Sequence, residues 1–204
     1  MTERGYAGTT LRDVARRAGV SVGLMYRYFP SKRSVVMTLY DELSAELVTR
    51  AEGMPAGSWT KRFMFALTAS LGVLAPHREV LSALVPILAG DPSQGLFSAS
   101  TAFSRFRVQG VFVEAVKSAS DSPRGGVADA LGRLLYLVQL AVILWWLLDR
   151  SPGQAATGGL VALIGQTLRP FAPALRLPMA RRVVTRGDEL VRAALYPADQ
   201  GGDD

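Results

Sequence analysis

The chain has 204 residues, no cysteine, one histidine and a formal net charge of +6, with 49% hydrophobic residues. That length can bury a sizeable core and hold one large or two small domains, and the lack of cysteine excludes disulfides, thiolate metal sites and cysteine nucleophiles. There is no Gly-rich phosphate loop, no Gly-x-Ser-x-Gly elbow and no carboxylate pair at metal spacing, and the lone His77 after Pro76 reads as a surface or capping residue, so nothing points to an enzyme, a metal or a cofactor.

In chain order, MTERGYAG lacks a basic-then-apolar signal pattern, which predicts a protein that stays in the cytoplasm. Thr10 can cap a helix whose Asp13 returns the bond, with Leu11, Val14, Ala15 and Ala18 at helical spacing. Gly19 supplies the left-handed residue that ends this helix, and Ser21 caps a second one that runs to about Phe29, before Pro30. Two capped helices across a three-residue turn form a helix-turn-helix, with the motif at about 9–29. On the second helix Val22, Met25 and Phe29 share the inward face, and Val20 and Met25 fill the angle between the helices. Gly23, Leu24, Arg27 and Tyr28 then point outward, with Tyr26 towards the flank. A helix lying in a major groove offers its N-terminal residues to base edges in this way. Ser31 caps a third helix beginning at Lys32, which puts an ammonium beside free backbone N–H groups, a natural partner for a DNA phosphate. Residues 1–33 carry seven Lys/Arg against two acids, whereas residues 34–204 carry sixteen against fifteen, so the basic excess is local. Such a patch supports salt-dependent binding of duplex DNA, with a solvated helical face or a basic surface for a protein partner as the lesser alternatives.

Strand signals are nearly absent, which predicts an all-α fold. A long helix from Lys32 to about Ala51, with Val35, Leu39, Leu43 and Leu47 one turn apart, joins the reader to the body. Further helices are predicted at Trp59 to Leu74, Arg78 to Leu88, Gly95 to Ser118, Val127 to Asp149, Gln154 to Phe171 and Pro178 to Leu195, and residues 197–204 form a disordered tail. Leu134 to Leu148 is fifteen uncharged residues, too short for a convincing membrane span, which needs about 20, and Gln139 sits inside it. A membrane-associated helical protein is the alternative this stretch leaves open. The last two apolar helices are expected to need covering on more than one side, which points to a homodimer holding two recognition helices about 34 Å apart on a near-palindromic duplex.

Residues 4–50, above all RGYAGTTLRDVARRAGVSVGLMYRYFPSK, resemble the tetracycline-repressor (TetR) family of bacterial transcription regulators. The resemblance implies a DNA-binding domain over 1–50, including the connecting helix, and an effector-binding and dimerisation domain over 51–196. WWLLDRSPGQ looks like the turn between the two dimer helices. It implies that Thr10, Tyr26, Tyr28 and Lys32 hold phosphates, that Arg12 lies at the DNA surface, and that Gly23, Leu24 and Arg27 lie closest to bases, with Arg27 reading guanine. Tyr26 and Tyr28 could instead be partly core aromatics. Family members begin with an additional amphipathic helix before RGY. Here only MTE precedes Arg4, so the reader's first helix is expected to be missing, exposing apolar surface around Leu11, Val14 and Leu39, and translation is expected to start upstream of Met1. The resemblance further implies a repressor released from its operator by a small molecule, here hydrophobic or aromatic. Its pocket is expected to be lined by Phe63, Met64, Leu67, Phe103, Phe106, Phe112, Tyr136 and Trp145, with Gln139 as polar contact, although each of these also suits a plain core.

Overall fold

Serine and threonine caps start four of the helices, because a hydroxyl oxygen at the N-cap accepts one of the backbone N–H groups that a first turn leaves unpaired. Thr10 does this for Asp13, Ser21 for Leu24, Ser31 for Ser34 and Ser58 for Lys61. The computed structural model describes residues 5–90 and 97–196, and the regular elements among them are all helical. In chain order they are α1 (Gly5–Gly8), α2 (Leu11–Ala18), α3 (Val22–Tyr28), α4 (Lys32–Ala51), α5 (Trp59–Leu74), α6 (Arg78–Gly90), α7 (Ala102–Lys117), α8 (Val127–Leu148), α9 (Ala155–Ala174) and α10 (Pro178–Leu195). The fold is all-α, as the absence of strand alternation requires, and α4, α5 and α10 have the predicted bounds.

Three boundaries differ from expectation by more than one residue. α7 begins at Ala102 rather than Gly95, after a 3-10 turn at Ala99–Thr101 in which the Thr101 hydroxyl donates to the Ser98 carbonyl at 2.9 Å. Residues 95 and 96, like the tail at 197–204, lie outside the described residues. α9 continues past Phe171 to Ala174 through Pro170 and Pro173, since proline's fixed φ is itself helical and each ring removes only one backbone donor near a helix end. α6 runs through Pro86 to Gly90.

Two cores share one connecting helix. The small one gathers Leu11, Ala15 and Met25, with Val14, Phe29 and Val35 packed around them. The large one contains Trp59, Phe63, Leu67, Phe112, Leu135 and Tyr136, with Leu43 and Leu47 from α4. The Phe63, Phe112 and Tyr136 rings follow one another with centroids 5.9 and 6.4 Å apart. Val35 thus serves the first core while Leu43 and Leu47 serve the second, so a single helical stripe ties reader to body. α8 runs through the middle of the body, against α7 above all and also α6, α9 and α10. It is long and apolar enough by length and composition to cross a membrane. In the fold its Leu131, Leu135, Val142 and Trp146 are core residues, and Gln139 is hydrogen-bonded to Ser70. α7 and α8 pack tightly at Gly132, where an added Cβ would stand 2.4 Å from the Val113 Cα.

Candidate functional site

The turn between α2 and α3 follows the expected chemistry. Gly19 has φ +69°, its N–H donates to the Arg16 carbonyl at 3.3 Å, and the Val20 N–H reaches the Ala15 carbonyl at 3.1 Å. Only a residue without Cβ adopts this conformation at little cost. Ala15, fully buried, lets the two helices cross closely, and Met25 fills the space above it. Val20 and Val22, expected to face inward, are 37% and 39% exposed instead. Both sit at the turn end of a seven-residue helix, where the interior is already filled by Met25 and Phe29, so their side chains stay at the rim. The apolar surface expected around Leu11 is likewise closed: Leu11 is buried and Val14 and Leu39 are half-buried, because Phe29 and Val35 pack over the small core and Leu39 joins the large one.

The outer face of α3 is open. Leu24 is 43%, Tyr26 49% and Tyr28 69% exposed, and Gly23 and Arg27 are exposed beside them. A Cβ at Gly23 would meet nothing within 4 Å, so this surface lets another backbone or a base edge approach closely. Arg12 is exposed on α2, and Arg16, also exposed, pairs with Asp13 at 3.3 Å. Thr10 is engaged in the cap: its hydroxyl donates to Asp13 Oδ2 at 2.6 Å and accepts from the Asp13 N–H at 3.2 Å. The two tyrosines are therefore surface residues and not core aromatics.

Lys32 stands apart from the other basic residues of this surface. Its Nζ donates to the carbonyls of Tyr6 and, at 2.8 Å, of Thr9, and it lies 3.9 Å from the centroid of the Tyr6 ring. The ammonium thus satisfies carbonyls at the end of α1 and pins that one-turn helix onto the start of α4, a role that helix-end carbonyls and a π face favour for a cation. α1 in turn rests against α6. Arg33, next in sequence, donates to Ser100 Oγ at 2.6 Å, a second tie between reader and body.

The body holds a cavity of about 390 Å³, walled by α4, α5, α6 and α8. From α4 it takes Val36, Leu39, Tyr40, Leu43 and Leu47, at helical spacing along one face. Of the nine residues expected to line a ligand pocket, Tyr136 and Gln139 do so. Phe63, Leu67 and Phe112 are fully buried core, and Met64 lies against Gly165 of α9. Phe103, Phe106 and Trp145 are on the surface, the first stacked under Arg107 at 4.5 Å. Aromatic content alone did not separate cavity from core, since both demand large apolar side chains. Of the residues it missed, Tyr40 had a signal in the helical spacing of Val36, Tyr40, Leu43 and Leu47, whereas Ser70 on α5 had none. The Tyr136 hydroxyl, fully buried, engages that of Tyr40, and Gln139, 3% exposed, donates from Nε2 to Ser70 Oγ at 2.8 Å while its Oε1 has no partner. A buried polar group in this state costs about 1–3 kcal/mol. Burial pushes the Tyr40 hydroxyl up to about 12 and Tyr136 well above the ordinary tyrosine value, so both remain neutral.

Between α8 and α9 the chain turns on Asp149, whose carboxylate accepts from the hydroxyls of Thr157 at 2.6 Å and Ser151 at 2.7 Å and from their backbone N–H groups. Those bonds, the Thr157 hydroxyl foremost, hold its pKa well below the usual carboxylate range. Arg78 closes the other side by donating to the carbonyls of Trp146 and Asp149 at 3.0 and 2.7 Å.

Comparison with known proteins accords with this geometry. Residues 1–37 match the family model of the bacterial regulatory proteins, tetR family. A 49-residue stretch is 43% identical to the nucleoid occlusion factor SlmA of Pasteurella multocida (strain Pm70), and covers 24% of this chain and 25% of that protein. Over 81% of this chain and 87% of the other, the fold is similar, with a TM-score of 0.54 and 18% identity, to the structure of a protein with unknown function from Rhodococcus sp. RHA1. The last likeness concerns the fold alone. The N-terminal helix-turn-helix is that of the tetR family.

Proposed function

We propose, from a tetR-family reader at the N-terminus, that this protein is a dimeric DNA-binding transcription regulator of the bacterial cytoplasm, a repressor that a small apolar ligand releases from a near-palindromic operator. The observation that carries the reading is the open outer face of α3, with Gly23, Leu24, Arg27 and Tyr28 exposed within a strongly basic stretch of the chain. Arg27 is assigned to base edges, where a guanidinium can make a bidentate contact with guanine. Tyr26 and Tyr28 are assigned to phosphates, Arg12 to the DNA surface, and Thr10 to the phosphate nearest the α2 cap. Lys32 acts at one remove, by fixing α1 and the start of α4 beneath that surface.

Dimerisation is supported by Leu144, Trp145 and Leu148 at the exposed end of α8 and by Leu163 and Phe171 on α9, large apolar side chains left open to solvent. Ligand response is supported by α4, which walls the cavity with Leu39, Tyr40 and Leu43 and begins in the reader at Lys32. A ligand that prefers one placement of α4 shifts the reader by the same preference. The domain limits we assign are 1–50 for the reader with its connecting helix and 51–196 for the body.

The test is binding of the purified protein to the DNA beside its gene, over a salt series with competitor DNA, alongside Arg27→Ala. Specific binding that falls steeply with salt is expected. The variant should lose about 1–3 kcal/mol and sequence preference while keeping its circular dichroism spectrum. Equal binding by Arg27→Ala would remove α3 from the DNA contact.

A further inference from the structure

Beyond residue 33 acidic and basic side chains nearly cancel, yet they are unevenly spread. Residues 150–187 hold six arginines and no Asp or Glu, an excess as large as the formal +6 of the whole chain. The stretch takes in α9, the turn after it and the first half of α10. One side of α10 is turned to α8, where the buried Asp188 carboxylate accepts from the Arg133 guanidinium at 2.7 and 2.6 Å. The opposite side carries Met179, Arg182, Val183, Arg186 and Leu190, all exposed and spaced to form one stripe along the helix. A helix face turned away from the core is ordinarily polar. Here Met179 is 78% and Val183 64% exposed, and Leu177, at the turn just before α10, is 60% exposed, so these side chains stand proud of the surface and are not laid in a groove. Arg176 and Arg182, exposed beside them, have no acidic partner among the described residues, whereas Arg186 is paired with Glu189 at 2.9 Å.

We propose that this face of α10, with the turn before it, docks the protein on an anionic lipid surface. Leu177, Met179 and Val183 enter the level where head groups meet acyl chains, and Arg176 and Arg182 contact the head-group phosphates. The proposal stands on α10 and is independent of the DNA reading of α3. Charge selects an anionic occupant, because an acid-free run of arginines interleaved with apolar side chains adds electrostatic attraction to apolar burial. Shape selects a bilayer, which accepts protruding apolar tips wherever they arrive, whereas a folded partner must offer a matching hollow for each. A second copy of this chain is disfavoured at this face, since a two-fold axis through it sets Arg176 and Arg182 against their own counterparts with no acid between them. Insertion is shallow, because α10 stays packed on the body through Val184 and Asp188. The association is therefore peripheral and reversible, unlike that of a spanning helix.

The experiment floats the full chain on a density gradient with vesicles of phosphatidylcholine alone, or of phosphatidylcholine with an equal part of phosphatidylglycerol. Flotation with the mixed vesicles only, weakened by added salt, is expected. Each arginine near an anionic surface contributes about fivefold to binding, so Arg176→Ser/Arg182→Ser should weaken the partition by at least about tenfold. Met179→Ser/Val183→Ser should weaken it by a comparable factor, and both variants, altered only at exposed positions, should keep their circular dichroism spectra. Because the chain has no cysteine, Met179→Cys carries a single environment-sensitive fluorophore, and Leu24→Cys reports the outer face of α3 in the same way. Emission should shift to the blue at residue 179 on the mixed vesicles and stay unchanged at residue 24. Absence of flotation, or equal flotation by both double variants, overturns the proposal. A shift at residue 24 without one at residue 179 overturns it by giving the lipid contact to the reader. Binding of soluble polyglutamate in place of vesicles overturns it in favour of an acidic protein partner. A lower association state of Met179→Ser/Val183→Ser in sedimentation equilibrium overturns it in favour of a second copy.

Discussion

Lys32 shows how one side chain can be read two ways until its surroundings are known. From sequence, an ammonium at a capped helix start suits an incoming phosphate. In the fold the same ammonium is taken up by the carbonyls of Tyr6 and Thr9 and by the Tyr6 ring. Its stem crosses 23 and 26 positions of sequence to do so, a pairing that no local pattern encodes. Lys32→Met should keep most of the apolar packing but remove the ammonium from the Tyr6 and Thr9 carbonyls and the Tyr6 ring, lowering stability by about 1–3 kcal/mol. Hydrogen exchange should show the loss concentrated in residues 5–9, and unchanged protection there would argue against the clamp. Gly23 and Arg27, in contrast, were legible from spacing alone, because a seven-residue helix with Met25 inward leaves few choices for what faces out.

At the scale of elements, helix limits were largely fixed by local chemistry: hydroxyl caps, Gly19, and the prolines that begin or follow helices. The packing of one helix on another was not. α7 and α8 approach until Gly132 lies against the Val113 backbone, and Gly132→Ala should separate them at a cost of about 1–3 kcal/mol, measured by urea denaturation. A variant as stable as the parent, or more so, would show that the helices can part without loss. The α8–α9 corner gives a pH prediction. The Asp149 carboxylate is held below the usual carboxylate range by Thr157 and Ser151, so it stabilises the fold fully above the unfolded aspartate pKa of about 4 and less and less as pH falls beneath it. Asp149→Ala should melt below the parent by a constant margin from neutral pH down to about pH 4, and the margin should narrow in stronger acid. A margin independent of pH throughout would assign the corner's stability to something other than the charge.

Taken whole, the molecule is a small reader and a larger helical body joined along α4, and most of the body's exposed large apolar side chains lie on α8, α9 and α10, with Phe103 and Phe106 on α7. The proposed dimer makes a prediction at this scale. Trp145→Glu places a charge among Leu144, Leu148 and their neighbours, and should yield monomers in sedimentation equilibrium with unchanged helicity. Affinity for a near-palindromic site should then fall at least ~10²-fold as two linked half-site contacts become one. A dimer that survives the substitution would move the interface elsewhere. The sequence by itself determined the helix-turn-helix, the class of fold and most helix limits, since caps, turn glycines and apolar periodicity act over three or four residues and can be read in a line. Only the tertiary structure decided which aromatics are core and which wall the cavity, that Lys32 turns inward, and that Gln139 pairs with Ser70. Those outcomes depend on which distant helices meet and how closely, and apolar periodicity states only that a face must be covered, not by what.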